Sequence, residues 1–152
     1  MELVLGVPHY RQKSPDACLP ACVRMALAYR GRKHSEQELV QALGIVRGLG
    51  TNPESTITGL ESMGYHALWF ENATLERLID LLGHDWPVIV FLRAANLPHG
   101  RAGLHAVVLI AINYEQVICL DPSLDQPLAL ELGTFLNAWR ILGSQGLVVW
   151  VS

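Results

Sequence analysis

Apolar residues recur with a helical period through most of the first half of the chain, which predicts helices with one buried face. These helices are expected at residues 18–29, 35–43, 56–63 and 74–82. The second half contains short apolar runs rich in β-branched residues, which are typical of buried strands. Strands are expected at residues 88–92, 105–112, 116–120 and 147–151, with two earlier strands at 3–7 and 65–70 and a last helix at 135–139.

Local signals set several of these boundaries. Pro20 is tolerated only in the first turn of a helix, so the first helix is expected to begin near Cys18, and Gly31 provides its stop. Ser35 and Glu38 have the spacing of a capping box at the start of the second helix. Two glycine-bearing loops are expected at residues 44–53 and 97–103, and both are candidates to flank a cleft.

The order of these elements predicts an α+β fold. Helices dominate the first half and strands the second, so a helical half is expected to pack on an antiparallel sheet. Runs 105–112 and 116–120 are separated by a short turn and are predicted to form a hairpin. With 152 residues, the chain is expected to be one domain spanning 1–152.

Composition narrows the class of function. Hydrophobic residues make up 51% and charged residues 16%, as in a well-packed globular protein. A net charge of −3 gives no basic footprint for nucleic acid. No apolar run is long enough for a membrane span, and the first residues do not resemble a signal segment, so a cytoplasmic location is expected.

The cysteines raise the question of a reactive thiol. There are three, Cys18, Cys22 and Cys119, and an odd number argues against a disulfide framework. Cys18 falls at the predicted start of a helix, where the helix dipole favours the nucleophilic thiolate. Cys22 falls one turn further on, on the expected buried face. The plain alternative is that Cys18 is a small core residue.

A thiol nucleophile needs a base, and His105 is the best placed histidine. It opens the apolar run 105–112, whereas Asp121 ends the following run 116–120. The start of one hairpin strand and the end of the next are neighbours, so the two side chains are expected to lie together. A carboxylate there would orient the imidazole. The plain alternatives are a structural strand histidine and a turn-initiating Asp-Pro pair.

The other histidines have weaker contexts. His66 opens a strand and remains ambiguous. The remaining four lie in polar or loop segments and are expected at the surface: His9, His34, His84 and His99.

The segment 18–31 resembles the nucleophile helix of the bacteriocin-processing endopeptidases. These are papain-like domains fused to bacterial peptide-exporting ABC transporters, and they have free-standing relatives. The family pattern places a small residue, a methionine, an aromatic residue and a glycine at fixed steps after the cysteine. The matching residues are Ala21, Met25, Tyr29 and Gly31. The resemblance implies a papain-like fold.

The resemblance extends to the other functional positions. The family places a glutamine six residues before the cysteine as an oxyanion-hole donor, which corresponds to Gln12. Its histidine and its Asp-Pro pair correspond to His105 and Asp121–Pro122. The implied function is a cysteine endopeptidase that cleaves a peptide or leader-peptide bond and requires no metal or cofactor. Its expected partners are a peptide or protein substrate and, as a candidate, a peptide-exporting transporter.

Two neighbours of the cysteine depart from the family pattern. The family has aspartate before the cysteine and glycine after it, whereas this chain has Ala17 and Leu19. Leu19 is expected to add bulk beside the nucleophile and so to bear on substrate scope. A non-catalytic, peptide-binding domain therefore remains an alternative.

Two further alternatives remain. The same site could carry out another acyl transfer, such as deamidation or transamidation of a protein side chain. Metal binding through Cys18, Cys22 and a histidine is a weak third alternative, because a Cys-x3-Cys pair without a second ligand pair is a poor zinc signal.

Overall fold

The computed structural model describes residues 3–45, 52–100 and 103–152. The helices in these ranges are α1 Cys18–Tyr29, α2 Glu36–Ala42, α3 Pro53–Ser62, α4 Leu75–Gly83 and α5 Leu132–Arg140. The strands are β1 His66–Phe70, β2 Val88–Arg93, β3 Leu104–Ile112, β4 Gln116–Leu120, β5 Leu128–Glu131 and β6 Gly146–Trp150. A short 3₁₀ helix, Ala94–Asn96, follows β2. The predicted α+β class is confirmed.

The strands form one antiparallel sheet in the order β1-β6-β2-β3-β4-β5. The predicted hairpin is confirmed as β3 and β4, which pair Val108 with Leu120. A register shift between Leu109 and Ala111 marks a bulge in this pair. The hairpin brings the start of β3 and the end of β4 to the same edge of the sheet.

Strand β3 lies at the centre of the core. Its residues from His105 to Ala111 are all buried, and successive strand side chains point to opposite faces, so the sheet is covered on both sides here. Helix α1 packs mainly against β3, with further contacts to β2 and β6. It buries two-thirds of its own length, including Leu19, Cys22 and Met25. The start of α1 is thereby fixed next to the hairpin.

Local sequence signals explain where the helices begin. Helix α1 starts at Cys18 with Pro20 in its first turn, as expected. Ser35 and Glu38 form the predicted capping box at α2. Helix α3 begins earlier than predicted because Asn52 caps it and Pro53 takes the first helical position.

One strand expectation was wrong, and one strand was not predicted. Residues 3–7 form no strand and make a single backbone hydrogen bond to the sheet, from Leu5 N–H to Ile110 O at 2.9 Å. Ile110 lies one residue beyond the part of β3 that pairs with β2. Conversely, β5 was not expected, because its four residues are too few to show a clear alternation.

Each predicted loop lies only partly within the described residues. Of the loop at 44–53, residues 46–51 lie outside the described residues, and so do 101 and 102 of the loop at 97–103. In the part of the chain that is described, no helix is both long and apolar enough to cross a membrane.

Candidate active site

The thiol of Cys18 stands at the first position of α1. Amides at a helix start have no intrahelical carbonyl partner, so the Cys18 and Leu19 N–H groups are free for other acceptors. Ala17, which precedes the helix, is fully buried, whereas Cys18 itself is partly exposed. The packing of α1 on β3 therefore presents one thiol at the surface, at the positive end of a helix.

The side chain of Leu19 lies in the core. It is 0% exposed and belongs to the main hydrophobic cluster. The expectation that Leu19 adds bulk in the cleft is therefore wrong. Consecutive helical residues point in directions about 100° apart, so a bulky residue after a helix-start cysteine can be buried while the cysteine faces outward.

His105 and Asp121 are joined by a short hydrogen bond. The His105 Nε2–H donates to Asp121 Oδ1 at 2.6 Å, and both side chains are buried. Because Nε2 is occupied, Nδ1 is the ring nitrogen left for the Cys18 thiol, with which the ring also interacts. Ser123 donates to the same Oδ1 through its N–H at 2.8 Å and its hydroxyl at 2.6 Å. The carboxylate is thus held on the far side of the imidazole from the thiol.

This environment favours ionisation of Cys18. Burial by itself would raise the pKa of the thiol, but the hydrogen bond to His105, the backbone of Ala106 and Leu19, and the charge of His105 outweigh it. The net result is a pKa below the ordinary thiol value. A larger thiolate fraction near neutral pH follows.

The pKa values of His105 and Asp121 shift in opposite directions, and both shifts favour the charged form. Burial disfavours the charged imidazole, yet the hydrogen bonds to Asp121 and Cys18 and their charges raise the pKa of His105 to about 9. Burial likewise opposes ionisation of Asp121, but the hydrogen bonds from His105 and Ser123 hold its pKa well below the usual range. The site therefore stabilises a thiolate–imidazolium pair beside an ionised carboxylate.

The environments of the Cys22 and Cys119 thiols disfavour ionisation, in contrast to that of Cys18. Cys22 is fully buried, and burial raises the pKa of its thiol well above the ordinary value, with smaller contributions from the neighbouring Cys18 and Asp121. Burial also raises the pKa of Cys119 to about 12. All three cysteines are free. Burial keeps Cys22 and Cys119 in the inert thiol form.

Gln12 lies in the segment that leads to α1 and is tied to the hairpin end. Its backbone N–H donates to Pro122 O at 2.7 Å. Its side-chain Nε2 donates to Ser14 O at 2.9 Å and to Pro15 O at 3.3 Å, while its Oε1 is buried without a hydrogen-bond partner. The Gln12 amide is therefore engaged with its own loop in this structure.

Two further histidines contact Asp121, although both were expected at the surface. His99 Nε2–H donates to Asp121 Oδ2 at 2.7 Å, and its side chain is 27% exposed. His9 Nε2–H donates to the Asp121 carbonyl at 2.8 Å. No local sequence signal distinguishes them, because each contact joins distant parts of the chain.

The side-chain positions in the described residues do not favour the alternative of a metal site. Among residues 3–45, 52–100 and 103–152, no group of three histidine, cysteine, aspartate or glutamate side chains is placed to hold a metal ion.

A cysteine at a helix start, facing a histidine–aspartate pair on an antiparallel sheet, is the arrangement of the papain-like cysteine peptidase class. The chain belongs to the Peptidase_C39 like family, whose family model matches residues 4–147. None of the curated proteins matches the chain.

Solved structures share the fold over nearly the whole length. A protein described as a C39-like peptidase from Bacillus anthracis has a TM-score of 0.79 at 18% identity, covering 100% of this chain and 99% of that one. A double glycine motif protease from an AMS/PCAT transporter, in complex with the leader peptide, has a TM-score of 0.76 at 17% identity, covering 100% and 96%. The peptidase domain of Streptococcus ComA, a bi-functional ABC transporter involved in quorum sensing, has a TM-score of 0.75 at 16% identity, covering 95% and 98%.

Proposed function

We propose that the protein is a cysteine endopeptidase that cleaves a peptide or leader-peptide bond, with Cys18 as nucleophile, His105 as base and Asp121 as the residue that orients the base. One observation carries the proposal. The His105 ring lies between the Cys18 thiol and the Asp121 carboxylate, with the Nε2–Oδ1 distance at 2.6 Å. A nucleophile, a base and a group that orients the base are the parts that covalent acyl transfer needs.

The first chemical step is formation of the acyl-enzyme. His105 Nδ1 takes the thiol proton, and the Cys18 thiolate attacks the carbonyl carbon of the substrate. The resulting imidazolium, stabilised by Asp121, gives its proton to the leaving amine as the C–N bond breaks. A water molecule, deprotonated by His105, then hydrolyses the thioester and releases the acid product and the free thiol.

The oxyanion of the tetrahedral intermediate needs hydrogen-bond donors. The Cys18 backbone N–H is one, since it has no intrahelical partner. We assign the Gln12 side chain as the second donor. Its longer hydrogen bond, 3.3 Å to Pro15 O, is the weaker of its two loop contacts and is the one that a substrate oxyanion would replace.

A peptide segment is the substrate class that fits this surface best. A hollow of about 290 Å³ adjoins the loop before Cys18 and is lined by Ser14, Pro15, Asp16, Val40 and Ile45. Val40 and Ile45 form its apolar side, and the loop residues Ser14, Pro15 and Asp16 form the rest of its wall. Such a lining suits an extended peptide. The double glycine motif protease bound to a leader peptide has the same fold. We therefore favour a leader-type peptide substrate.

ComA joins a peptidase domain of this fold to an ABC transporter, so a peptide-exporting transporter is the candidate partner here. Three free thiols suit a reducing compartment, which favours the cytoplasm.

Labelling with iodoacetamide tests the nucleophile directly. Wild-type protein and the variants Cys18→Ala and Cys22→Ala are compared at neutral pH, and the modified peptides are identified by mass spectrometry. We expect label on Cys18 in the wild type and in Cys22→Ala, and none in Cys18→Ala. Label on Cys22 or Cys119 instead of Cys18 in the folded wild type, or no label at all, would remove Cys18 from its proposed role.

Product analysis then tests the reaction. The protein is incubated with synthetic peptides in which a double-glycine leader precedes a cargo sequence. Two new peptides that together make up the substrate, absent with Cys18→Ala, identify hydrolysis. An intact chain with a converted glutamine side chain identifies deamidation or transamidation instead. If the unlabelled protein binds the peptide but forms no product, although its Cys18 reacts with iodoacetamide in the separate labelling experiment, the domain is non-catalytic.

A further inference from the structure

Asp121 is held by hydrogen-bond donors at both carboxylate oxygens. Oδ1 accepts from His105 and Ser123, whereas Oδ2 accepts from His99 Nε2–H at 2.7 Å. The Asp121 side chain is 0% exposed, so no bulk water reaches Oδ2. His99 is therefore the side chain that satisfies the second oxygen of a buried, charged group.

The turn that carries His99 is built tightly. It follows the 3₁₀ helix Ala94–Asn96, and two backbone hydrogen bonds, Leu97 N–H to Ala94 O and Gly100 N–H to Leu97 O, close it at 3.0 Å each. A Cβ at Gly100 would stand 1.9 Å from the Ala94 carbonyl oxygen, so only glycine fits there. Leu97 is buried and anchors the turn to the core. His99 is thus presented to Asp121 by a fixed backbone.

We propose that His99 is a positioning residue for the peptidase site, which holds Asp121 Oδ2 so that Oδ1 remains aligned with His105. This inference rests on the proposed function, because the aligned pair matters only if His105 serves Cys18. His99 itself reaches the reaction only through Asp121 and is not a catalytic residue.

The physical reason is that a buried carboxylate oxygen without a hydrogen-bond donor raises the free energy of the folded site. Without the His99 donor, Oδ2 is unsatisfied, and the carboxylate is driven to rotate toward another donor. Rotation lengthens the bond from His105 Nε2 to Oδ1 and weakens the stabilisation of the imidazolium. The charged and titratable groups around the Asp121 carboxylate are His105, His99, Cys22 and Cys119, and His9 bonds its backbone carbonyl.

The test compares His99→Phe with His99→Gln. Phenylalanine fills the space without a donor and keeps water out, whereas glutamine can place an N–H near the position of Nε2. We expect His99→Phe to lower kcat about tenfold, as for loss of a charge-assisted hydrogen bond, with KM little changed. We expect His99→Gln to recover most of the loss. His84→Phe is the matched control, since His84 is exposed and its ring bonds to Asp80 of the preceding helix.

A second readout is independent of peptidase activity. The ring nitrogens of ¹⁵N-labelled His105 are titrated by NMR in the wild type and both variants. We expect the midpoint to fall in His99→Phe and to be restored in His99→Gln, with thermal unfolding used to confirm that each variant is folded. An unchanged or raised His105 midpoint, or equal kcat in all variants, would overturn the role of His99. An inactive wild type with the expected midpoint shift would instead count against the proposed function alone.

Discussion

Cys18 and Cys22 lie one turn apart on the same helix, yet their environments are opposite. Cys18 is at the helix start, partly exposed, and interacts with His105, so its thiol pKa is lowered. Cys22 faces the core, and burial raises its pKa. The helix and the amino-acid type are shared, so the difference comes from the place of Cys18 at the helix start, from the His105 ring beside it and from access to water. Reactivity here is a property of position relative to β3.

The largest loss of the difference between Cys18 and Cys22 is expected when the group that orients His105 is removed. Asp121→Asn keeps the shape of the side chain but offers His105 no ionised acceptor. We expect kcat/KM to fall by about 10⁴-fold and the His105 pKa to drop, which makes Cys18 more like an ordinary thiol. Steady-state kinetics and the pH dependence of alkylation measure both effects. Asp125→Asn, at an exposed ion pair with Arg11, is the control. Equal activity in the two variants would contradict the role of Asp121.

A smaller loss of activity is expected when Gln12 is changed, and this variant distinguishes activation of the Cys18 thiol from stabilisation of the oxyanion. Gln12→Ala removes the proposed second oxyanion donor, and we expect kcat to fall by about 10²–10³-fold. Alkylation of Cys18 by iodoacetamide forms no oxyanion, so its rate should be unchanged. Gln37→Ala, at an exposed position of α2, serves as the control. If alkylation falls in parallel with kcat, the Gln12 side chain acts by holding its own loop through Ser14 O and Pro15 O and not as an oxyanion donor.

The smallest effect on activity is expected at Leu19, which stands between the two thiols in the sequence. Because its side chain is fully buried, Leu19→Ala should lower the free energy of unfolding by about 2–5 kcal/mol. The rate of Cys18 labelling should stay the same in the folded variant. Denaturant unfolding measures the first quantity, with the half-exposed Leu68→Ala as control. A changed substrate preference in Leu19→Ala would show that this side chain reaches the cleft after all.

The sequence carried enough information for the parts of the site that depend on local signals. Pro20 fixed the start of α1, and thereby the place of Cys18, because proline is restricted to the first helical turn. The two apolar runs joined by a short turn determined the hairpin, which brings His105 and Asp121 to one edge. Gln12 could be identified only through the family resemblance.

The rest depends on tertiary packing. The burial of Leu19 depends on which face of α1 is turned toward the sheet. Helical periodicity alone did not reveal this orientation. The contact between His99 and Asp121 requires the turn closed at Gly100, whose path no local pattern predicts. Residues 3–7 have the composition of a strand, but they make a single backbone hydrogen bond to β3, from Leu5 N–H to Ile110 O. Long-range contacts of this kind lie beyond single-sequence reasoning.

The central claim is that Cys18 is the activated thiol because His105 and Asp121 face it. The most direct measurement is the rate of iodoacetamide alkylation at each cysteine as a function of pH, followed by mass spectrometry of the folded protein. We predict that Cys18 reacts with a midpoint below the ordinary thiol value of about 8.5, with a second change near pH 9 as His105 loses its proton, while Cys22 and Cys119 stay unmodified. A Cys18 midpoint at or above the ordinary value, or equal reactivity of Cys22, would contradict the account.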